Sequence, residues 1–323
     1  MKVIIPEFVL SVLASPTCDL VSGREEFNAC DLVVIDNQGH LDGDLEGTEV
    51  VMLPWGLPQE TVERVLGLPS VRWVQTMTAG IDHALRALPP GREVVITNAS
   101  GVFDVPIAEM VLTYILTMAK RIPEFLAQQR EKNWHLLRLR EVAGLTVGIV
   151  GLGGIGGEIA ARCQALGMTV VATRRHPERG GRGVDRVLGS DQLYELLAMA
   201  DYVVVATPLT EETRGLIDAE ALRQMRPDAV LINIARGAIV DEAALVAALQ
   251  EGIIGGAALD VFEQEPLPPS SPFWGMPNVL VTPHNSWSTP QLRTREAALF
   301  LDNLARYVHG QPLRNVVDQD RGY

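Results

Sequence analysis

Three side chains that could handle a carboxylate and a proton follow three consecutive apolar runs in the second half of the chain. Arg236 follows AVLINIA, Glu265 follows GAALDVF and His284 follows NVLVTP. Open parallel sheets bind ligands beyond the carboxyl ends of their strands, so we expect these three side chains to meet at one rim. They could together bind a carboxylate and supply the proton when a hydride donor reduces the carbonyl next to it.

Each residue type suits one part of that chemistry. The planar guanidinium of Arg236 can grip a carboxylate and polarise a carbonyl. The imidazole of His284 can donate a proton near neutral pH, and Glu265 on the other ring nitrogen would orient the ring and favour its charged form. Taken singly, an arginine after a strand is often a surface ion pair, and Glu265 lies in the Pro-rich segment EQEPLPPSSP. Only their combination predicts a catalytic site.

A glycine-rich turn, GLGGIG, lies between the apolar run TVGIV and the amphipathic stretch GEIAARCQALG. In this pattern Gly151 allows a tight turn, Gly153 admits phosphates, and Gly156 lets helix and strand pack closely. With 29 glycines in 323 residues the pattern arises by chance about 0.2 times, so it needs this strand and helix context. The context predicts a pyrophosphate site, and a glycine-rich turn without a ligand is the alternative.

The segment TRR follows the next predicted strand and bears on the choice of cofactor. Arg174 lies 18 residues after Gly156, near the position where an acidic residue normally binds the ribose 2′-hydroxyl of NAD. A carboxylate there would repel a 2′-phosphate, whereas Thr173, Arg174 and Arg175 would attract one. We therefore expect NADP(H), with NAD possible. The alternative is that these arginines are solvated loop residues.

The pattern of strands and helices predicts two α/β domains. Five β-type runs alternate with helical segments in the first hundred residues, and MKVIIPEFVLSV is interpreted as the first strand. Six more runs alternate with helices after Leu145, which is the strand count of a Rossmann domain, with the three rim strands beside the glycine strand. We predict two doubly wound parallel sheets, a Rossmann dinucleotide-binding domain and a flavodoxin-like substrate domain, with an active-site cleft between them.

Two helical segments set the predicted domain boundaries. A connector helix begins with Asp104 as N-cap and Pro106 in its first turn, and breaks near Pro123. A last helix runs from Thr289 to about Tyr307, and it could return to the first domain. We therefore assign residues 1–98 and 285–323 to a discontinuous substrate domain, and residues 99–284 to the dinucleotide domain.

The composition of the chain narrows its possible partners, metals and cellular location. The net charge of −13 disfavours nucleic acid as a partner, and no apolar run reaches the roughly 18 residues that a membrane span needs. Cys18, Cys30 and Cys163 have no metal-type spacing and suit a reducing compartment, so we expect structural cysteines, no metal and a cytoplasmic protein.

Six stretches of the chain resemble the D-isomer-specific 2-hydroxyacid dehydrogenases. They are TAGIDH, TNASGVFDVPIAEMVL, GIVGLGGIG, NIARGAIVDEAAL, AALDVFEQEPLP and TPH. The resemblance implies that Arg236, Glu265 and His284 are catalytic, and that backbone amides of Ala79 and Gly80 hold the substrate carboxylate. It also implies a homodimer formed through the connector helix, and a reductase of glyoxylate or hydroxypyruvate, with pyruvate, phenylpyruvate and ketopantoate as open alternatives.

The resemblance and the strand ends together give two sets of binding residues. The expected cofactor contacts are Gly151, Gly153, Gly154, Ile155, Gly156, Thr173, Arg174, Arg175, Thr207, Pro208, Ala235 and, from the resemblance, Asp260 near the nicotinamide amide. The expected substrate contacts are Trp55, Gly56, Ala79, Gly80, Arg236 and Trp287. Trp55 and Trp287 could equally be core residues.

Three other functions remain open at this point. A dinucleotide-sensing corepressor of the same fold would not need an intact Arg, Glu and His. A formate dehydrogenase usually has Gln where this chain has Glu265, because formate oxidation transfers no proton. The third is a dehydrogenase that prefers NAD and acts on another 2-hydroxy acid.

Overall fold

The computed structural model describes residues 1–15, 20 and 22–319, and its chain divides into two compact units. The first unit comprises Met1–Phe103 and Thr289–Tyr323, and the second comprises Asp104–Ser288. Cys18 lies outside the described residues. Cys30 and Cys163 are free thiols, half-buried and buried, respectively.

The strands are β1 Lys2–Pro6, β2 Asp31–Ile35, β3 Leu41–Asp42, β4 Thr48–Leu53, β5 Trp73–Thr76, β6 Val95–Thr97, β7 Thr146–Val150, β8 Thr169–Thr173, β9 Arg186–Leu188, β10 Tyr202–Val205, β11 Val230–Asn233, β12 Gly256–Leu259 and β13 Val279–Val281. The α-helices are α1 Glu7–Ala14, α2 Arg24–Asn28, α3 Gln59–Leu66, α4 Asp82–Ala87, α5 Asp104–Ala119, α6 Ile122–Glu131, α7 Gly154–Ala165, α8 Leu193–Met199, α9 Ala219–Gln224, α10 Glu242–Gln250 and α11 Leu292–Val308. Short 3₁₀ turns occupy Pro177–Arg179, Ser190–Gln192, Gly237–Ile239 and Pro272–Gly275.

The sheet of the first unit has the order β3-β2-β1-β4-β5-β6, and all its pairs are parallel except β2 with β3. Without β3, the order is the flavodoxin-like 2-1-3-4-5, so the prediction for this unit is confirmed. The two-residue strand β3 is too short to produce a periodic pattern and was not predicted. The opening prediction was too long: β1 ends at Pro6, and α1 buries Val9 and Leu13, four residues apart on one helix face.

Helix α11 packs on α1 and α2 of the first unit. Its buried Phe300, Leu301 and Leu304 join the apolar side chains of β1 and β4 in one core. The ring of Trp73 on β5 stacks on Phe300, with ring centroids 5.6 Å apart. The last helix is therefore part of the same core as the first hundred residues.

The second unit is an all-parallel sheet of order β13-β12-β11-β10-β7-β8-β9. The part from β9 to β12 has the Rossmann order 3-2-1-4-5-6, which confirms the predicted fold class. The predicted count of six strands is wrong, because β9 is a three-residue strand, Arg186–Leu188, without a long apolar run. The rim strands also do not adjoin the glycine strand directly, since β10 lies between β7 and β11.

The predicted connector helix is two helices, α5 and α6. The break comes at Arg121, whose φ of 51° is left-handed, and Pro123 lies in the first turn of α6, where a missing N–H costs nothing. Among the described residues, no helix is long and apolar enough to cross a membrane.

Candidate active site

The predicted catalytic residues lie beyond the carboxyl ends of three adjacent strands. Arg236 follows β11, Glu265 follows β12 and His284 follows β13, and these strands pair in parallel. A side chain at Gly237 would overlap the backbone of Phe262 and Glu263. Glycine at this position therefore lets the segment carrying Arg236 approach the segment carrying Glu265.

Glu265 and His284 form a hydrogen-bonded pair. The Nδ1 atom of His284 lies 2.7 Å from Oε2 of Glu265, and Oε1 accepts a hydrogen bond of 3.0 Å from the backbone N–H of Phe262. Burial pushes the pKa of Glu265 upward. The hydrogen bonds from His284 and Phe262, together with the positive charges of His284 and Arg236, outweigh burial and hold this pKa below its usual value. Glu265 is thus a carboxylate that holds the ring of His284 through Nδ1 and leaves Nε2 for a substrate.

His284 sits in a turn built around the carboxylate of Asp260. Asp260 is fully buried, and its Oδ1 accepts hydrogen bonds from the hydroxyl of Thr282 at 2.5 Å and the N–H of Asn285 at 3.0 Å. Its Oδ2 accepts one from the N–H of Ser286 at 3.1 Å. Asp260, which the sequence predicted to contact the cofactor, therefore binds the turn that carries His284 through both of its carboxylate oxygens.

The backbone of His284 is strained. Its φ of 51° lies in the left-handed region, which costs a residue with a Cβ about 1–2 kcal/mol. Trp287 donates from its indole N–H to the carbonyl of His284 at 2.7 Å. Trp287, predicted as a substrate contact, thus also fixes the backbone of His284.

Arg236 is half-buried, and its Nη1 donates to the carbonyl of Ala235 at 2.7 Å. Asn233 holds this segment on both sides, since its side-chain N–H donates to the carbonyl of Arg236 and its Oδ1 accepts from the N–H of Ala235. The hydrogen bonds from Asn233 therefore fix the backbone at Arg236, and the positive charge of Arg236 helps to lower the pKa of Glu265.

The glycine turn fits a dinucleotide. Gly151 has a φ of 102°, and a Cβ there would lie 2.7 Å from the carbonyl oxygen of Ala206. A Cβ at Gly156 would overlap the carbonyl oxygen of Gly151, whereas a Cβ at Gly153 would meet open space at the N-terminus of α7. Helix N-termini bind phosphates through free N–H groups and the helix dipole, so the open space over Gly153 suits a pyrophosphate.

The predicted ribose-binding residues lie at the end of β8. Thr173 is buried, and Arg174 is half-buried with its Nη1 donating to the carbonyl of Gly180 at 2.7 Å. Arg175 is exposed and pairs with Glu212, with 2.7 Å between Nη2 and Oε2. The carbonyl of Pro208, after β10, accepts from the hydroxyl of Thr213 at 2.7 Å. Gly154, Ile155 and Thr207 are also in the second unit.

The remaining predicted substrate contacts belong to the first unit. Trp55 is 69% exposed after β4, and Gly56 next to it has a φ of 83°. The carbonyls of Ala79 and Gly80 accept hydrogen bonds from the side chains of Asn98 and Thr78, at 3.0 and 2.5 Å. These bonds fix the turn that carries the two backbone amides.

Sequence reasoning missed two contacts in this region. The hydroxyl of Tyr114 on α5 lies 2.5 Å from that of Thr282, and a side chain at Gly154 would overlap the carboxylate of Asp104. Neither pair is close in sequence, so a local pattern could not reveal it. Thr282 was part of the TPH stretch, but its partners were not evident. Within the described part of the chain, no group of three or more His, Cys, Asp or Glu side chains could hold a metal ion.

Comparison with known proteins places these features in a family. The family described as D-isomer specific 2-hydroxyacid dehydrogenase, NAD binding domain, matches residues 112–286. The chain is 36% identical to a glyoxylate reductase of Korarchaeum cryptofilum (strain OPF8) over 261 residues, which cover 78% of this chain and 77% of the relative.

Solved structures match the chain over its whole length, and two of them are similar in sequence as well. A D-isomer specific 2-hydroxyacid dehydrogenase from Xanthobacter autotrophicus Py2, in complex with NADPH and MES, has a TM-score of 0.82 at 35% identity and covers 100% of this chain and 99% of its own. An NADPH-dependent glyoxylate/hydroxypyruvate reductase from Sinorhizobium meliloti, in complex with NADP and sulfate, has a TM-score of 0.84 at 30% identity with the same coverage.

The fold, the glycine turn and these matches all indicate the same family. The chain belongs to the D-isomer specific 2-hydroxyacid dehydrogenase family, which confirms the resemblance seen in its sequence. It is an oxidoreductase of the NAD(P)-dependent type.

Proposed function

We propose that this protein is an NADPH-dependent reductase of a small 2-oxo acid, with glyoxylate or hydroxypyruvate as its substrate. The observation that carries the proposal is the pair of Glu265 and His284, joined at 2.7 Å beside the loop of Arg236. The names of the glyoxylate reductase and of the glyoxylate/hydroxypyruvate reductase matched above support the choice of substrate.

In the proposed mechanism, Arg236 binds the substrate carboxylate and polarises the carbonyl through its charged planar fork. A nicotinamide dinucleotide held at the glycine turn would supply the hydride. His284 donates a proton from Nε2 to the carbonyl oxygen, because Nδ1 is held by Glu265. Glu265 stabilises the charged ring before transfer, and in the oxidation direction the neutral ring accepts the proton back.

We infer that the second unit is the dinucleotide-binding domain and the first unit the substrate domain. The cofactor role falls on the glycine turn, on Thr207, Pro208, Ala235 and Asp260, and on the segment Thr173 to Arg175. Arg174 is the stronger candidate for a 2′-phosphate, because Arg175 already pairs with Glu212. Trp55, Gly56, Ala79, Gly80 and Trp287 keep the substrate-binding role that the family resemblance implies.

We also propose a cytoplasmic homodimer. The segment after α6 exposes 96% of Trp134 and 84% of Leu136. Large apolar side chains exposed together mark protein interfaces, and aromatic residues are enriched there. A second copy of this chain is the proposed partner for this surface, which we call the Trp134 segment (residues 132–136).

Initial rates with a panel of 2-oxo acids, each measured with NADPH and with NADH, test the proposal. The expected result is turnover with glyoxylate or hydroxypyruvate and a preference for NADPH of about tenfold or more in kcat/KM, which corresponds to only ~1.4 kcal/mol. Dinucleotide binding without turnover of any 2-oxo acid would overturn it in favour of a dinucleotide sensor.

A further inference from the structure

A chain of three hydroxyl and carboxyl groups runs from the connector helix to the turn of His284. Tyr114 on α5 is buried, and its hydroxyl lies 2.5 Å from Oγ1 of Thr282. Oγ1 of Thr282 in turn lies 2.5 Å from Oδ1 of the fully buried Asp260. All three residues belong to the second unit.

The direction of the hydrogen bonds in this chain follows from the proton count. A carboxylate only accepts, so Thr282 uses its single hydroxyl proton to donate to Asp260. The bond between the two hydroxyls then needs a proton from Tyr114, which must be the donor. Burial raises the pKa of Tyr114, so the phenol keeps this proton throughout the range in which the enzyme would work.

This series of hydrogen bonds ends at Asp260, whose carboxylate shapes the turn of His284. The turn donates to Asp260 from both sides of His284, through the hydroxyl of Thr282 before it and the N–H groups of Asn285 and Ser286 after it. His284 itself has a left-handed backbone, which persists only when its surroundings hold it. Removing the phenol would leave the buried oxygen of Thr282 without its donor, weaken the cooperative hydrogen bond from Thr282 to Asp260 and so loosen the turn.

We propose that Tyr114 is a positioning residue for His284, acting through Thr282 and Asp260. This inference rests on the proposed function, because it assigns Tyr114 to the proton-transfer step of the same reaction. The phenol does not touch substrate or cofactor in this role. Its contribution is to fix the backbone from which the imidazole projects, and so to affect kcat more than KM.

Steady-state kinetics of Tyr114→Phe, Thr282→Val and the double variant test the proposal. Each single variant should lower kcat about 3- to 10-fold, the fold-change of one ordinary hydrogen bond, with KM for the oxo acid and for NADPH within about twofold. The double variant should be no slower than the slower single variant, because both changes break the same chain. Thr282→Ser, which keeps the hydroxyl, should retain kcat.

Tyr307→Phe is the matched control. It removes a half-buried phenol that donates to Glu49 at 2.7 Å in the first unit, so it removes the hydrogen bond of a phenol without touching the turn of His284. It should change the melting temperature but not kcat.

The outcomes separate this inference from the proposed function. If the unmodified enzyme turns over no 2-oxo acid, the proposed function fails. If it is active and Tyr114→Phe keeps the full kcat, or if the losses in the double variant multiply, the positioning role is wrong. If Tyr307→Phe lowers kcat as much as Tyr114→Phe, the effect is one of general stability and the proposal is again overturned.

Discussion

At the scale of single residues, removal of the His284 side chain should give the largest loss of turnover. His284→Ala leaves no group to donate the proton, so kcat should fall about 10²-fold or more, within the usual range for general acid catalysis. The melting temperature and the affinity for NADPH should be nearly unchanged, which separates lost chemistry from lost structure. Full turnover in this variant would remove His284 from the proposed role.

Glu265 should affect the pH dependence of reduction. Its pKa lies below the usual value, so it remains a carboxylate at neutral pH and stabilises the protonated ring of His284. Glu265→Gln keeps a hydrogen-bonding oxygen but removes the charge, and reduction requires the protonated ring. The alkaline limb of the kcat/KM profile should therefore move to lower pH, whereas a profile that stays in place would contradict this role.

Arg174 should decide between the two dinucleotides. Replacing it in Arg174→Asp puts a carboxylate where a 2′-phosphate would bind, and the preference for NADPH over NADH should be lost or reversed. The relative rates with different oxo acids should not change. Arg223→Asp, which makes the same charge change on α9, is the control and should leave the cofactor preference intact.

At the scale of elements, α11 carries a buried acid that should make stability depend on pH. The side chain of Glu296 is 3% exposed, and burial raises its pKa to about 7, partly offset by Arg293 at 3.1 Å. The folded state therefore keeps a proton that the unfolded chain releases above its ordinary pKa of 4.5. This group costs no stability below pH 4.5, and its cost grows to about 3 kcal/mol as the pH rises to 7.

Unfolding in urea at pH 5 and pH 8 checks this prediction. The free energy of unfolding of Glu296→Gln should change less between these pH values than that of the unmodified protein, because glutamine has no proton to lose. Equal changes in both proteins would show that Glu296 does not titrate between its ordinary value and 7. The difference between the two proteins is the quantity measured, since the other titrating groups contribute to both.

At the scale of the whole molecule, the Trp134 segment should hold two copies together. Trp134→Asp places a charge on a side chain that is 96% exposed in the single chain, so folding of the protomer should be unaffected while dimerisation weakens. Light scattering should then report the mass of one chain, about 35 kDa, at concentrations where the unmodified protein is a dimer. Tyr194→Asp, at an exposed aromatic on α8, should leave the dimer intact, and a variant at Trp134 that remains dimeric would exclude this surface.

Most of the architecture could be predicted from the chain because its strands are buried on both faces. Such strands read as continuous apolar runs, as in TVGIV and YVVV, and their alternation with helices requires parallel sheets. The elements that were missed, β3 and β9, are two and three residues long and lie at sheet edges, where little apolar surface is buried. The overlong first strand reflects the same limit, since α1 is apolar enough to resemble a strand.

The sequence by itself predicted which side chains meet at the rim of the second unit. Arg236, Glu265 and His284 could be found because each follows an apolar run, and the glycine turn because its spacing is local. What only the tertiary structure decided is how His284 is held. The bonds from Tyr114 to Thr282 and from Thr282 to Asp260 span 168 and 22 residues of chain. The left-handed backbone of His284 is not indicated by the residues next to it in the sequence. Differences of a few tenths of an ångström in the distance between two atoms decide whether a hydrogen bond forms, and only packing of the helices on the sheet sets those distances.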